Sequence, residues 1–290
     1  MIERRRFLRH YLRSGTATTA TAIVAFLILL ALAGPWVAPH NPYDLQTFSL
    51  TDSLKPPAWR EGGSTKFLLG TDDQGRDILS MIIFGLRTSF IISFSAVGIS
   101  FLVGTVFGLI AGYFGGWWDA AISRLCDTML SFPAFLMALL LLGVLKQRGA
   151  VPVVIAIALT FWVRYARLIR GNVLGEKKKE YIDAAKSLGA AHRRIIFRHL
   201  LPNSVSVLFV IAAVDLAMVI VLESTLSFLG VGVPLTMPSL GMLISSGYTF
   251  LYMGIWWIVI FPGFVLALLV FSINLLGDWL REELNPKMRG

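Results

Sequence analysis

Long apolar runs alternate with short polar stretches along most of the chain. A hydrocarbon core about 30 Å thick takes roughly 20 apolar residues per helix. Runs at about 17–33, 90–112, 122–144, 150–170, 204–229 and 252–276 approach or exceed that length. They predict an all-α polytopic membrane protein with six transmembrane helices. The first run contains Ala31-Leu32-Ala33, which imitates a signal cleavage site. It is longer than a signal core of about 7–15 residues, so it reads as a span, closed by Gly34-Pro35-Trp36. Residues 39–83 form the longest polar connection. Within it Thr71 and Gln74 stand at capping-box spacing, so a helix is expected from near Asp72 through Ile78, Leu79, Ile82 and Ile83 into the second span. Residues 230–250 lack formal charge but hold Pro234, Pro238 and several glycines, which suits a re-entrant loop of non-helical backbone sheltered by protein or water.

Breaks in the apolar pattern carry further information. Gly104, Gly108 and Gly112 recur every fourth residue, a spacing that lets two helices touch backbone to backbone in lipid; packing within the chain is the first use expected. Pro133 should kink the third span. Arg164, Arg167 and Arg170 close the fourth span, where long cationic side chains can snorkel to the interface; a voltage sensor is the sharper, less favoured reading. Asp215 and Glu223 interrupt the fifth span. Carboxylates inside a membrane are costly and face a bundle interior or a water path. Eight residues apart, these two are about 12 Å apart along the axis and roughly 80° apart around it, so they form no acid–base couple. Each either lines a path or hydrogen-bonds a neighbouring helix.

With 56% hydrophobic residues, 15% charged residues and a mean hydropathy of +0.72, most of the chain must leave water. The net charge of +9 does not argue for nucleic acid, because ten of the 26 Lys and Arg lie between Arg164 and Arg198 and five lie in the first 13 residues. That clustering is expected of cytoplasmic ends under the positive-inside rule. In 39–83 the acidic residues outnumber the basic ones, as an outer face would have it. The only cysteine, Cys126, excludes an internal disulfide and reads as a packing residue near the start of a span. The histidines (His10, His40, His192, His199) suggest no metal site. The sequence holds no Walker-type phosphate loop, zinc-binding helix or nucleophile elbow, so no catalytic residue is assigned.

One charged, helix-forming island stands out, EYIDAAKSLGAAHRRIIFRHLLPN at 180–203. Tyr181, Ala184, Ala185 and Leu188 fall on one stripe of a short helix, and Ile195, Ile196, His199 and Leu200 on a second. Two short helices meeting at a bend on Gly189 are expected, the second stripe falling before Pro202. The segment resembles the coupling loop of ABC-importer permeases: Glu-Ala-Ala, three residues, Gly, nine residues, Ile-x-Leu-Pro. Here Asp183-Ala184-Ala185 stands three residues before Gly189, and nine residues separate Gly189 from His199-Leu200-Leu201-Pro202. Asp183 takes the place of Glu and His199 that of Ile. Three more stretches, GTDDQGRDILS at 70–80 (preceded by Pro56-Pro57-Ala58-Trp59), ESTLSFLGVG at 223–232 and GDWLREELNPKMR at 277–289, are similar to the C-type permease subunit of bacterial dipeptide and oligopeptide ABC importers.

That resemblance implies the type I importer permease fold in a bacterial inner membrane, with both termini cytoplasmic. It divides the chain into a cytoplasmic amphipathic segment at 1–16, a first transmembrane helix at 17–38, a periplasmic segment at 39–86, a five-helix core at 87–277 containing a coupling loop at 173–203, and a cytoplasmic tail at 278–290. It implies a second related permease, two cytosolic ATPases and a periplasmic or lipid-anchored binding protein, with ATP and Mg on the ATPases and no cofactor on this chain. Tyr181, Asp183, Ala184, Ala185, Leu188, Gly189, His199, Leu201 and Pro202 become candidate coupling residues, and Asp215 and Glu223 candidate path residues. Importers of nickel chelates, glutathione or opines are alternatives within the class. A proton-coupled carrier using Asp215 and Glu223 is the alternative outside it.

Overall fold

A computed structural model describes residues 10–44 and 49–284. Most of the expected amphipathic segment at 1–16, and the end of the tail from residue 285, lie outside the described residues. All named elements are helical. Among the described residues, five helices are long and apolar enough to cross a membrane, or six if one bent pair counts as a single span.

Helix α1 (Gly15–Val37) begins at Ser14, whose hydroxyl accepts from the Ala17 N–H at 3.3 Å. Its threonines are harmless in lipid because their hydroxyls fold back onto carbonyls of the preceding turn, as Thr21 does to Ala17 at 2.8 Å. One stripe (Ala17, Ala20, Leu27, Ala31, Gly34) is buried, while Phe26, Leu29, Leu32 and Trp36 point outward.

Helix α2 (Ile78–Phe114) has 37 residues, about 55 Å at 1.5 Å per residue. It starts six residues later than the capping-box spacing predicts. The Asp72 carboxylate instead closes a turn, accepting from the Gln74 and Arg76 N–H groups at 2.9 and 2.8 Å and from Arg76 Nε at 2.6 Å. Gly75 takes φ +78° in that turn. The cap is Asp77, which accepts from the N–H and hydroxyl of Ser80. Thr71 is spent elsewhere, donating to the Asp52 carbonyl and accepting from the Lys55 N–H.

The third expected span is broken rather than kinked. Helices α3 (Gly116–Leu130) and α4 (Ala134–Leu145) meet at 96°. Ser131 Oγ donates to the Asp127 carbonyl, and Pro133 lies outside the α region with ψ 136°, so the ladder cannot be carried across. Cys126 is buried on α3. Helix α5 (Ala150–Glu176) packs along α2. A Cβ on Gly104 would stand 2.4 Å from the Trp162 carbonyl oxygen, one on Gly108 2.6 Å from that of Ala166, and one on Gly112 2.8 Å from Val173. The glycine repeat is thus an intramolecular seam.

After α6 (Glu180–Ser187) and α7 (His192–Ile195), a π turn over Ile196–Leu200 leads without interruption into α8 (Leu201–Phe228). The second short helix is not separate from the fifth span expected from about Ser204; it is the start of it. The widened turn falls where Pro202 has no N–H to give to the carbonyl four residues back. Helix α9 (Leu240–Leu251) occupies part of the stretch expected as a non-helical loop. Ser239 caps it, accepting from Met242 N–H at 3.2 Å, so its apolar backbone is self-satisfied. Helix α10 (Trp257–Leu284) begins after a turn at 252–256 and carries Pro262.

The bundle therefore has two ends. The basic end holds α6, α7 and their lysines and arginines. The opposite end holds residues 49–77 and 229–256. There Arg76, itself buried, also donates to the Leu235 carbonyl at 3.3 Å, and Trp257 Nε1 donates to the Thr71 carbonyl at 3.1 Å. The main apolar core runs between them through α1, α2, α4, α5 and α8–α10.

Candidate functional site

Helix α6 is held to the basic end by a side chain outside its predicted stripe. Ile182 is fully buried in a cluster with Leu109, Tyr113, Tyr165, Ile169, Val173, Ile195 and Leu200. The predicted stripe faces away: Tyr181 is 38% and Leu188 88% exposed, Ala184 is exposed and Ala185 half-buried. Leu188, at the cap of this anchored helix, is left open to its surroundings.

The bend after α6 has a defined hydrogen-bond pattern. The Ala190 N–H reaches the Ala185 carbonyl and the Gly189 N–H reaches that of Lys186, both near 3 Å. Together with φ +73° at Gly189, this is a Schellman cap, whose left-handed residue is glycine because a Cβ there strains the backbone. Open space surrounds the missing Cβ, so the requirement is conformational and not steric.

Two aromatic residues tie the bend to the spans. Tyr181 donates to Glu176 at 2.5 Å, accepts from Asn203 Nδ2 at 3.1 Å and lies 6.0 Å from the His199 ring. The Glu176 carboxylate beside it pushes the Tyr181 phenol above its usual range, so it remains a protonated donor. Tyr113, at the end of α2, has its hydroxyl 2.6 Å from His192 Nδ1, while its carbonyl accepts from Lys177 Nζ at 2.6 Å. The connection after α5 and the start of α7 thus share one anchor on α2. Asp183 pairs with Lys186 on the same helix at 2.8 Å. Leu201 packs against the buried cluster and Pro202 is exposed.

Of the candidate coupling residues, Tyr181, Asp183, Ala184, Ala185, Leu188 and Gly189 share α6 and its cap. His199 joins Tyr181 from the π turn. Ile182, Tyr113, Glu176, Lys177 and Asn203 complete the arrangement and were not singled out from the sequence. Ile182 had a legible signal, as the apolar residue one position beside the stripe; the others depend on tertiary contact.

The two carboxylates of α8 are not brought together. Asp215 is fully buried beside the Tyr165 hydroxyl and pairs with Arg164 Nη1. Glu223 is fully buried toward the opposite end, accepting from Ser89 at 3.0 Å and Ser227 at 2.8 Å. Both hydrogen-bond neighbouring helices. The arginines of α5 do not simply snorkel, since Arg167 pairs with Asp127 and Arg170 with Asp119.

Comparison with known proteins places this geometry. Residues 104–290 match the family model described as the inner membrane component of binding-protein-dependent transport systems, and residues 4–57 match the N-terminal transmembrane domain of oligopeptide transport permease C. The di/tripeptide transport system permease protein DppC of Pseudomonas aeruginosa is 37% identical, over 98% of this chain and 92% of its own. The glutathione transport system permease protein GsiD of Pectobacterium atrosepticum is also 37% identical, over 98% and 91%. Among solved structures, an inward-facing form of the MetNI methionine ABC transporter matches with a TM-score of 0.55 at 18% identity, covering 72% of this chain and 98% of the matched chain. That likeness concerns the fold.

Proposed function

The chain belongs to the family of binding-protein-dependent transport system inner membrane components, and on that premise we propose that it is one permease subunit of an ATP-driven importer carrying dipeptides or oligopeptides into the bacterial cytoplasm. Its partners are a second related permease, two cytosolic ATPases and a periplasmic or lipid-anchored binding protein. ATP and Mg reside on the ATPases, and this chain is non-catalytic and binds no cofactor. The basic end, with both termini, lies in the cytoplasm.

The observation that carries the coupling role is the contrast between Ile182, fully buried on α6, and Leu188, 88% exposed at its cap. One side of α6 is fixed to the spans while the other awaits a docking surface. Closure of the ATPase pair on ATP moves α6, and the motion enters the spans through Tyr113, Tyr181 and the unbroken α7–α8 helix. For this to drive transport, the two states of the bundle must differ in their contacts with the ATPases. Asp183 offers an acidic contact at that surface, and Ala184 and Ala185 permit close approach.

Reconstitution tests the reading. In proteoliposomes holding both permeases and both ATPases, with the binding protein added, labelled dialanine should accumulate only when ATP is present on the ATPase side. Accumulation driven by a proton gradient without ATP would overturn it in favour of a proton-coupled carrier. Because a glutathione permease stands at the same 37% identity, glutathione is the second cargo to measure in the same vesicles.

A further inference from the structure

Asp215 lies fourteen residues beyond Leu201, the first residue of α8, about 21 Å along the helix. Arg164 reaches it from α5, fourteen residues and about 21 Å from the opposite end of that helix. The Asp215 side chain is fully buried, whereas that of Arg164 is 42% exposed. A half-exposed guanidinium at this depth does not face acyl chains, where a charge is expensive. It faces water or protein.

Its hydrogen bonds favour water. Nη1 takes the Asp215 carboxylate and lies 3.3 Å from Met218 Sδ, while Nε and Nη2 have no hydrogen-bond partner among the described residues. A protein wall over them would have to supply an acceptor to each donor or leave it unpaired at a cost, whereas water satisfies both. Nearer the basic end, α5 also borders a separate cavity of about 400 Å³ against α3, lined by Ser123, Asp127, Arg167 and Arg170.

We propose that Arg164, held by Asp215, is a carboxylate-binding site in the path through the bundle, taking the C-terminal carboxylate of a short peptide on Nε and Nη2. This rests on the importer reading above. The free edge of a planar guanidinium fits a carboxylate with two parallel hydrogen bonds. Asp215 fixes the side chain through Nη1 and offsets part of its charge, leaving the Nε and Nη2 edge electropositive. Its negative charge also weakens any anion bound beside it, so the site passes its occupant onward instead of trapping it, as a permeation site must.

The test uses the assembled importer in nanodiscs, with Cys126→Ser removing the native thiol and Met218→Cys placing one beside Arg164. Relative to each reagent's rate with a free thiol, anionic sulfonatoethyl methanethiosulfonate should be favoured about tenfold over the cationic trimethylammonium reagent, because the free guanidinium edge concentrates anions. Dialanine should slow the reaction and dialanine amide should not. Arg164→Gln should abolish both the charge preference and the protection, while Arg164→Lys should keep the preference and lose most of the protection. No modification by either reagent, with or without ATP, would mean that protein or lipid covers this face and would overturn the proposal. Modification indifferent to Arg164→Gln and to dialanine would overturn it equally. Dialanine uptake by the unmodified importer reads the cargo separately: no uptake, with an Arg164-dependent charge preference retained, rejects the cargo and upholds the anion site.

Discussion

Gly189 and Ile182 do opposite things within eight residues, and single substitutions separate them. Gly189→Val forces a branched side chain into φ +73° at a cost of roughly 1–2 kcal/mol, opening the cap rather than the fold. Membrane insertion should persist while ATP-driven uptake is lost; normal uptake by this variant would refute a coupling role for the bend. Ile182→Ala removes a fully buried side chain and should cost about 2–4 kcal/mol, read as a lower melting temperature of the purified complex. Leu188→Ser touches nothing buried and should leave that temperature unchanged while reducing uptake. At the opposite end, the Lys55 ammonium bonded to Asp52 holds its carboxyl below the usual range. The stabilisation is therefore present above the unfolded value near 3.9 and lost as pH falls through the lower folded value. Amide exchange over 50–77 should accelerate in that acid window, and Asp52→Asn should flatten the response. Gly189 was legible because a helix cap demands a left-handed residue locally. Ile182 was legible only as an apolar residue beside the stripe; that it is the buried anchor depends on what the spans place beneath an eight-residue helix.

Among the helices, the α2–α5 seam was written in the chain most openly. A repeat of residues without Cβ at every fourth position has few uses in lipid other than close approach, and each of the three is in close contact with α5. Gly108→Leu should prevent that approach and abolish accumulation of the folded subunit, visible as loss of a monodisperse peak in detergent. The late start of α2 and the 96° break at Pro133 were less legible. In the first, Asp72 could close its own turn or cap a helix, and only the contacts of Arg76 with residues 72 and 235 decide between them. In the second, proline marks an interruption, but the angle is set by packing on both sides. The helical stretch at 240–251 was hidden by flanking prolines and glycines, although Ser239 supplies an ordinary cap. Glu223 joins α8 to α2 through Ser89, so Glu223→Ala should lower the melting temperature and leave Ser89 without its acceptor.

For the whole molecule, the distribution of charge predicts which way the bundle points. A single cysteine placed at Leu188, with Cys126→Ser, should react with an impermeant maleimide only from the cytoplasmic side. One placed at Trp59, 63% exposed at the opposite end, should react only from the periplasmic side. The reverse pattern would remove the ATPases from reach of α6 and end the account of coupling. The number of long apolar stretches and the polarity of the connections were readable because lipid penalises the alternatives so heavily. The pairing of Arg164 with Asp215 was not, since their separation in sequence hides that two costly charges share one solution.

The run from His192 through the π turn to Phe228 contains no loop. Between His192 and Glu223 lie 31 residue steps, about 46 Å of helix, with no swivel in which a twist could dissipate. A rotation imposed on the imidazole end must reappear, in phase, at the serine-ringed carboxylate on the far side of the bilayer.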